Sequence, residues 1–188
     1  LLVSSAASDV YKRQPMYSSL AGGTDDNAPT DGELQTGFAK FANDEAVDVS
    51  LIPTGAVSAT VSKYVVENVA EVRKDCMVFI SPELADAQSS TPATDIKDFR
   101  TTQNINSSFA VMDSGYKYQF DRYNDVFRYV PLNGDVAGCL VRTDLVADPF
   151  FSPAGFNRGQ IKNAVKLAYS PDKADRDTLY KNAINPVV

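Results

Sequence analysis

Acid–base chemistry in this chain would have to run on carboxylates, because the sequence contains no histidine. That absence removes Ser-His-Asp and Cys-His nucleophile activation, most zinc sites and the commonest general base. The best-placed acids are Asp121 and Asp125, on either side of a short polar turn, where two carboxylates could approach as a glycosidase requires. Turn aspartates ordinarily bond their own backbone, however, and this spacing serves that use equally well. Ser152 sits in Ser-Pro-Ala-Gly, not in a Gly-x-Ser-x-Gly elbow. Gly22-Gly23 lacks the lysine of a phosphate loop, and Gly134-x-x-x-Gly138 is expected to lie outside a strand-to-helix phosphate turn. The acids between Leu20 and Gly32 miss the EF-hand spacing for calcium. Cys76 and Cys139, in apolar company and far apart in sequence, read as buried free thiols of a reducing compartment. The expectation is a chain that is not an enzyme, with no catalytic, cofactor or metal site.

With 188 residues, 44% hydrophobic and 22% charged, the chain is long enough to bury a core and ordinary for a globular protein. No apolar run approaches the roughly 20 residues of a membrane helix, so membrane insertion is not expected. A net charge of −6 argues against general nucleic-acid binding. The charge is uneven. Asp25, Asp26, Asp31, Glu33, Asp44, Glu45 and Asp48 outweigh Lys40 in residues 20–60. Beyond residue 156, Arg158, Lys162, Lys166, Lys173, Arg176 and Lys181 outweigh Asp172, Asp175 and Asp177. Either these are solvated faces of unlike sign, or copies of the chain attract head to tail.

The elements follow from hydrophobic spacing. Leu20 to Gly32 reads as a loop, and Leu34, Phe38 and Phe41 as the buried stripe of a short helix starting at Asp31 or Gly32. Residues 47–52 read as a strand. Val57, Val61, Val65, Val69 and Val72 share one helical face, with Arg73-Lys74-Asp75 ending that helix, and Cys76 to Ile80 form a strand covered on both faces. Together these make a βαβ unit. Residues 81–107 read as irregular apart from a short helix at 95–101, followed by a strand at 109–112. Tyr116, Tyr118 and Phe120, then Phe127 and Tyr129 after a polar turn, predict a β-hairpin with an aromatic face. That stripe could stack bases, but its mixed charges favour core or interface packing. A helix carrying Val136, Leu140 and Leu145 follows. The spacing of Ile161, Ala164, Val165 and Ala168 predicts another, and Ser170-Pro171 would cap a last one with Asp172–Arg176 and Asp177–Lys181 pairs. The fold class is α/β: a βαβ-containing mixed sheet flanked by helices, with an antiparallel aromatic ribbon.

Several stretches together resemble one family. They are Leu20-Ala21-Gly22-Gly23, Arg73-Lys74-Asp75-Cys76, Ser107 to Asp113, Tyr116 to Asp125, Val130 to Gly138, Arg142-Thr143-Asp144, Ser152 to Gly159, Arg176-Asp177-x-Leu179-Tyr180 and Ile184-Asn185-Pro186. In this order, over about residues 20–188, the chain resembles the contractile tail sheath proteins of T-even-like myophages. The resemblance implies a structural virion subunit, assembled in the host bacterial cytoplasm. Such a subunit stacks with itself in rings around a tail tube protein, meets baseplate and tail terminator proteins, and contracts to drive the tube through the host envelope. It implies no direct contact with nucleic acid. A related contractile injection system, such as a secretion sheath or tailocin, is the nearest alternative; an α/β enzyme or ligand-binding domain is a more distant one.

On this reading Asp121, Asp125, Arg142, Asp144, Arg158, Arg176 and Asp177 are candidates for subunit contacts or for fixing loops within one subunit. The three arginines are expected to pair with carboxylates. Residues 9–14 match the translation of a transposon end used in preparing sequencing libraries, so residues 1–14 are expected to be a non-native translated adapter. Residues 15–32 are expected to be a loop or linker, and residues 33–188 an α/β domain truncated at both ends relative to the family.

Overall fold

The centre of the molecule is a continuous apolar strand whose neighbouring side chains point opposite ways. Val78 and Ile80 join a core with Ile52, Val61, Val65, Val69, Ile96 and Phe99, whereas Phe79 is buried outside that cluster. The computed structural model describes Ser19, residues 21–24, 28–148 and 150–188; the expected adapter, 1–14, lies outside the described residues.

Strands β1 (Leu51–Pro53), β2 (Met77–Ile80) and β3 (Ala110–Met112) form a parallel sheet in the order β1-β2-β3. Helix α1 (Asp31–Phe38) precedes it, closed at its start by a reciprocal capping box between Thr30 and Glu33. Helix α2 (Ala59–Val65) joins β1 to β2, so the expected βαβ unit is present. Its N-cap is Ser58, which accepts from the Val61 amide. The helix then widens into a π turn at Val66–Ala70 before α3 (Glu71–Arg73). That extra residue per turn rotates the expected face. Val61, Val65 and Val69 are buried, but Val72 is 64% exposed and Arg73 turns inward in its place.

The β1 strand is shorter than the expected 47–52. Pairing with β2 begins only where the Met77 amide meets the Ser50 carbonyl, and the Val47 carbonyl is held by Arg73 instead. Between β2 and β3 the chain is more helical than its Ser/Thr content suggested. It forms α4 (Leu84–Ala87) and α5 (Pro92–Gln103), with Pro92 in the first turn of α5 and Asn104 closing it in the left-handed region. Tertiary burial of Ile96, Phe99 and Gln103 outweighs the weak local propensity.

The second sheet is antiparallel. Strands β4 (Tyr116–Asp121) and β5 (Val126–Pro131) form the expected hairpin, with Tyr118 opposite Tyr129 and Phe120 opposite Phe127. Parallel and antiparallel pairing are thus divided between two sheets. Helix α6 (Asn133–Val146) follows β5 directly, so Gly134 lies at a strand-to-helix junction after all. The amide of Asn133 there is already bound to Ser81 Oγ at 3.1 Å. Ala137, Cys139 and Thr143 form the buried face of α6; Leu145, expected inside, is 80% exposed. The helix expected around 161–168 is absent. The Val165 and Ala168 amides bond the Tyr118 and Tyr116 carbonyls at 2.8 and 2.7 Å, and Lys166–Leu167 form β6 on the free edge of β4. An unpaired strand edge offers extended chain more hydrogen bonds than an isolated helical turn does.

Helix α7 (Lys173–Lys181) starts two residues later than expected. Asp172, not Ser170, is its N-cap, accepting from the Asp175 amide at 2.8 Å. None of the ion pairs among the described residues joins Asp172 to Arg176 or Asp177 to Lys181. The chain then returns to the parallel sheet, where Asn185 bridges to Asp113 beside β3. Among the described residues, no helix is long and apolar enough to cross a membrane.

Candidate interaction surface

Open α/β sheets usually bind ligands at the carboxyl ends of their strands. Here the buried polar groups of that rim bond one another, and an open groove beside them is lined by Gly55, Lys117, Asn133 and Asp135. Asp113, just past β3, accepts from Ser81 Oγ at 2.7 Å and from the Gly115 amide at 2.9 Å. Ser81 in turn accepts from the Asn133 amide. The Asn133 side chain donates to the Gly55 carbonyl at 2.8 Å, and the Thr54 hydroxyl donates to the Phe79 carbonyl at 3.1 Å. The ends of all three strands and the start of α6 are therefore joined through one buried polar network. Burial pushes the Asp113 carboxyl up to about 7, against the lowering effect of its two hydrogen-bond donors.

The remaining polar side chains hold loops in place. Asp121 organises the hairpin turn: it accepts from the Tyr123 amide at 3.1 Å and from the Asn124 side chain at 2.7 Å, and meets Arg128 Nε at 3.2 Å. The Asn124 bond, above all, holds its carboxyl below the usual carboxylate range. Asp125 closes the same turn in the left-handed region, at φ 53°. An open groove beside the turn is lined by Gln119, Asp121, Arg128 and Asn163, with Asp125 outside it. Asp121 is thus engaged by the turn, and the two acids do not converge as a paired site.

Within the subunit, the three candidate arginines meet carbonyls where carboxylates were expected. Arg142 on α6 reaches the Arg158 and Gln160 carbonyls at 3.2 and 3.1 Å. Arg158 donates from Nε to the Ser152 carbonyl at 3.1 Å and lies over the Phe151 ring. Arg176 bonds the Pro171 carbonyl at 3.3 Å. The structure therefore brings Arg142 and Arg158 together. Arg176 and the exposed Asp177 stand apart on α7, which packs against α5, and Asp144 is exposed on α6.

Between them, Arg142 and Arg158 shape residues 152–159 into a closed arch. The Gly159 amide bonds the Gly155 carbonyl at 2.8 Å, and Gly155 takes φ 111°. At its apex Phe156 is 95% exposed, and Phe150 nearby is 83% exposed. Large aromatics presented in this way usually mark contact surfaces. Val141, Leu145 and Val146 extend the exposed apolar surface along α6, and Phe120, Val126 and Phe127 do so on the hairpin. The sequence carried a readable signal for the arch, since Phe150, Phe151 and Phe156 interrupt a polar Gly/Pro segment. It carried none for the pair between the buried Lys117 and the half-buried Asp135, or for Arg73, whose roles depend on distant partners.

The comparisons agree with one another. The model of the phage tail sheath protein central domain matches residues 27–188. The chain is 38% identical to a tail sheath protein of Vibrio phage KVP40 over an alignment covering 97% of this chain and 30% of that relative. It is 43% identical to one of Enterobacteria phage T4, covering 89% of this chain and 28% of the relative. A tail sheath protein of Salmonella phage ViI is 34% identical over 62% of this chain and 19% of its own length. The chain thus spans less than a third of the length of the curated relatives it matches.

Proposed function

The chain belongs to the family of the phage tail sheath protein central domain, and from that premise we propose that it is part of a structural sheath subunit. That subunit polymerises around the tail tube of a virion and contracts to drive the tube through the host envelope. The observation that carries the reading is the family match across nearly all the described residues, joined to a surface built for contact. Asp113, Ser81 and Asn133 at the sheet rim are bonded to one another, while Phe156 and Phe150 stand exposed outside. A contracting lattice stores energy in alternative contacts between subunits and needs no bound cofactor to do so.

Assembly partners on this reading are further copies of the subunit, the tail tube protein, and the baseplate and terminator proteins at the two ends of the tail. Assembly takes place in the host bacterial cytoplasm. Asp121, Arg142 and Arg158 fix the turn and the arch that carry the contact surface, with Asp125 and Asp144 supplying charges at its margins. Arg176 fixes the start of α7 and Asp177 supplies charge there, apart from that surface. Complementation tests the function. Residues 27–188 would replace the aligned segment of the T4 tail sheath protein in a phage lacking its own sheath gene. Restored plaques support the reading. A folded, expressed chimera that restores none overturns it.

A further inference from the structure

Two segments of unlike charge lie on opposite sides of the parallel sheet. On the Val78 and Ile80 side, α1 packs through Leu34 and Phe38 against the core that α2 lines. Within residues 31–48 of this side, Asp31, Glu33, Asp44, Glu45 and Asp48 are all exposed, with Lys40 alone opposing them and Phe41 at the surface between. Lys63 on α2, Lys97 on α5 and the bases of α7 lie on the same side beyond this segment. On the Phe79 side lies α6, which packs on β1 and β2 and holds the arch through Arg142. Phe156 stands at the arch's apex, and residues 156–168 contain Arg158, Lys162 and Lys166 with no acid among them.

We infer that the Phe156 arch and its neighbouring lysines dock on the acidic α1 segment, residues 31–48, of a second copy of this chain. The occupant follows from complementarity: an aromatic, basic segment, bounded by Asp144 on α6 and Asp148 just past it, meets an acidic one with its own exposed phenylalanine. The direction follows from placement. Because the two segments lie on opposite sides of one sheet, the contact is heterologous, and each copy added leaves a free arch and a free acidic segment for the next. The arch is pre-organised. Its apex is fixed by Arg158 to Ser152, by Arg142 to two carbonyls, and by Gly159 packed on Gly155, where an added Cβ would come within 3.0 Å of the Gly155 nitrogen. Little ordering therefore opposes docking of Phe156.

This inference rests on the sheath reading for its setting, and the two fail separately. Sedimentation velocity on the 188-residue chain, up to about 1 mM, should show stepwise growth beyond dimers. Raising salt from about 50 to about 500 mM should weaken it roughly tenfold. Phe156→Ala, and separately Lys162→Glu with Lys166→Glu, should each weaken it about tenfold or more. Far-UV circular dichroism should stay unchanged for these variants, since all three positions are exposed. Tm should stay unchanged for Phe156→Ala and fall only slightly for the lysine pair, whose Lys166 Nζ lies 5.1 Å from the Tyr118 ring centroid. Glu45→Lys with Asp48→Lys should weaken growth likewise, and combining both reversals should restore it. A chain that stays monomeric, or whose growth ignores Phe156 and salt, overturns the inference. If a T4 chimera carrying residues 27–188 forms hollow cylinders that these variants do not disturb, the contact is refuted and the sheath reading stands. If the chain grows as expected and the chimera never forms cylinders, the contact stands and its sheath setting is lost.

Discussion

Lys117 Nζ lies 2.8 Å from both carboxylate oxygens of Asp135 and 3.1 Å from the Lys162 carbonyl, with the lysine side chain only 7% exposed. A single ammonium thus joins the first residues of β4, the first turn of α6 and the segment that leads into β6. The hairpin, the helix and the arch are held as one body by this contact and the rim network beside it.

Removing Lys117 leaves the Asp135 carboxylate, 23% exposed, without its partner. Lys117→Ala should destabilise the fold by about 1–2 kcal/mol, less than a fully buried pair would cost because water reaches Asp135, measured by urea denaturation. Lys117→Met combined with Asp135→Leu should recover most of the loss, because no unpaired charge remains. A double variant as unstable as the single one would show that packing, not charge, dominates here.

Asp113 sets a pH dependence of definite sign. Its folded carboxyl titrates near 7, whereas an unfolded one titrates at about 3.9. Between those values the folded state binds the extra proton, so its contribution to stability is fully present below about pH 4 and is lost as pH rises through about 7. Asp113→Asn should flatten the slope of Tm against pH between about 4 and 7, read by differential scanning calorimetry. An unchanged slope in the variant would assign the dependence to other groups.

Arg73 fastens the segment between α1 and β1. Its guanidinium bonds the Phe41 and Val47 carbonyls at 2.9 and 2.7 Å and pairs with Asp75 at 2.8 Å. Arg73→Lys keeps the charge and loses the planar fork that reaches three partners. A fall in Tm of several degrees and faster amide exchange in residues 41–50 are expected. Exchange confined to its wild-type rate would mean the carbonyl bonds are dispensable.

The hairpin was readable because it alternates over many residues, and β2 because it is an unbroken apolar run. Helix α6 was readable in its place but not in its face, since Leu145, expected inside, is exposed. Tyr118 and Tyr129 face each other across the ribbon as their alternation implied. Val72 was misread because a π turn breaks the 3.6-residue rhythm inside a helix, and no local residue signals it. Residues 161–168 were misread because Ile161, Ala164, Val165 and Ala168 match a helical spacing that the empty edge of β4 overrides. The candidate site was legible in part. Asp121 shapes the turn through backbone and side-chain N–H donors, whereas Arg142 and Arg158 shape the arch through carbonyls, which leave no mark in a sequence.

Gly159 links the fold to the surface. An alanine there would bring its Cβ within 3.0–3.1 Å of Gly155 backbone atoms and the Pro153 carbonyl. Gly159→Ala should cost about 1–2 kcal/mol and shift the arch. Self-association should then weaken more than it does for Gly23→Ala, whose Cβ meets nothing within 4 Å and which lies outside both docking segments. Equal effects from the two variants would separate the arch from assembly.

The most direct measurement is negative-stain electron microscopy of the purified T4 sheath chimera carrying residues 27–188, beside its unmodified parent. The sheath account predicts hollow, cross-striated cylinders from both proteins, because polymerisation around a central channel is what a sheath must do. A soluble, folded chimera that remains as dispersed particles, while its parent forms cylinders, would contradict it.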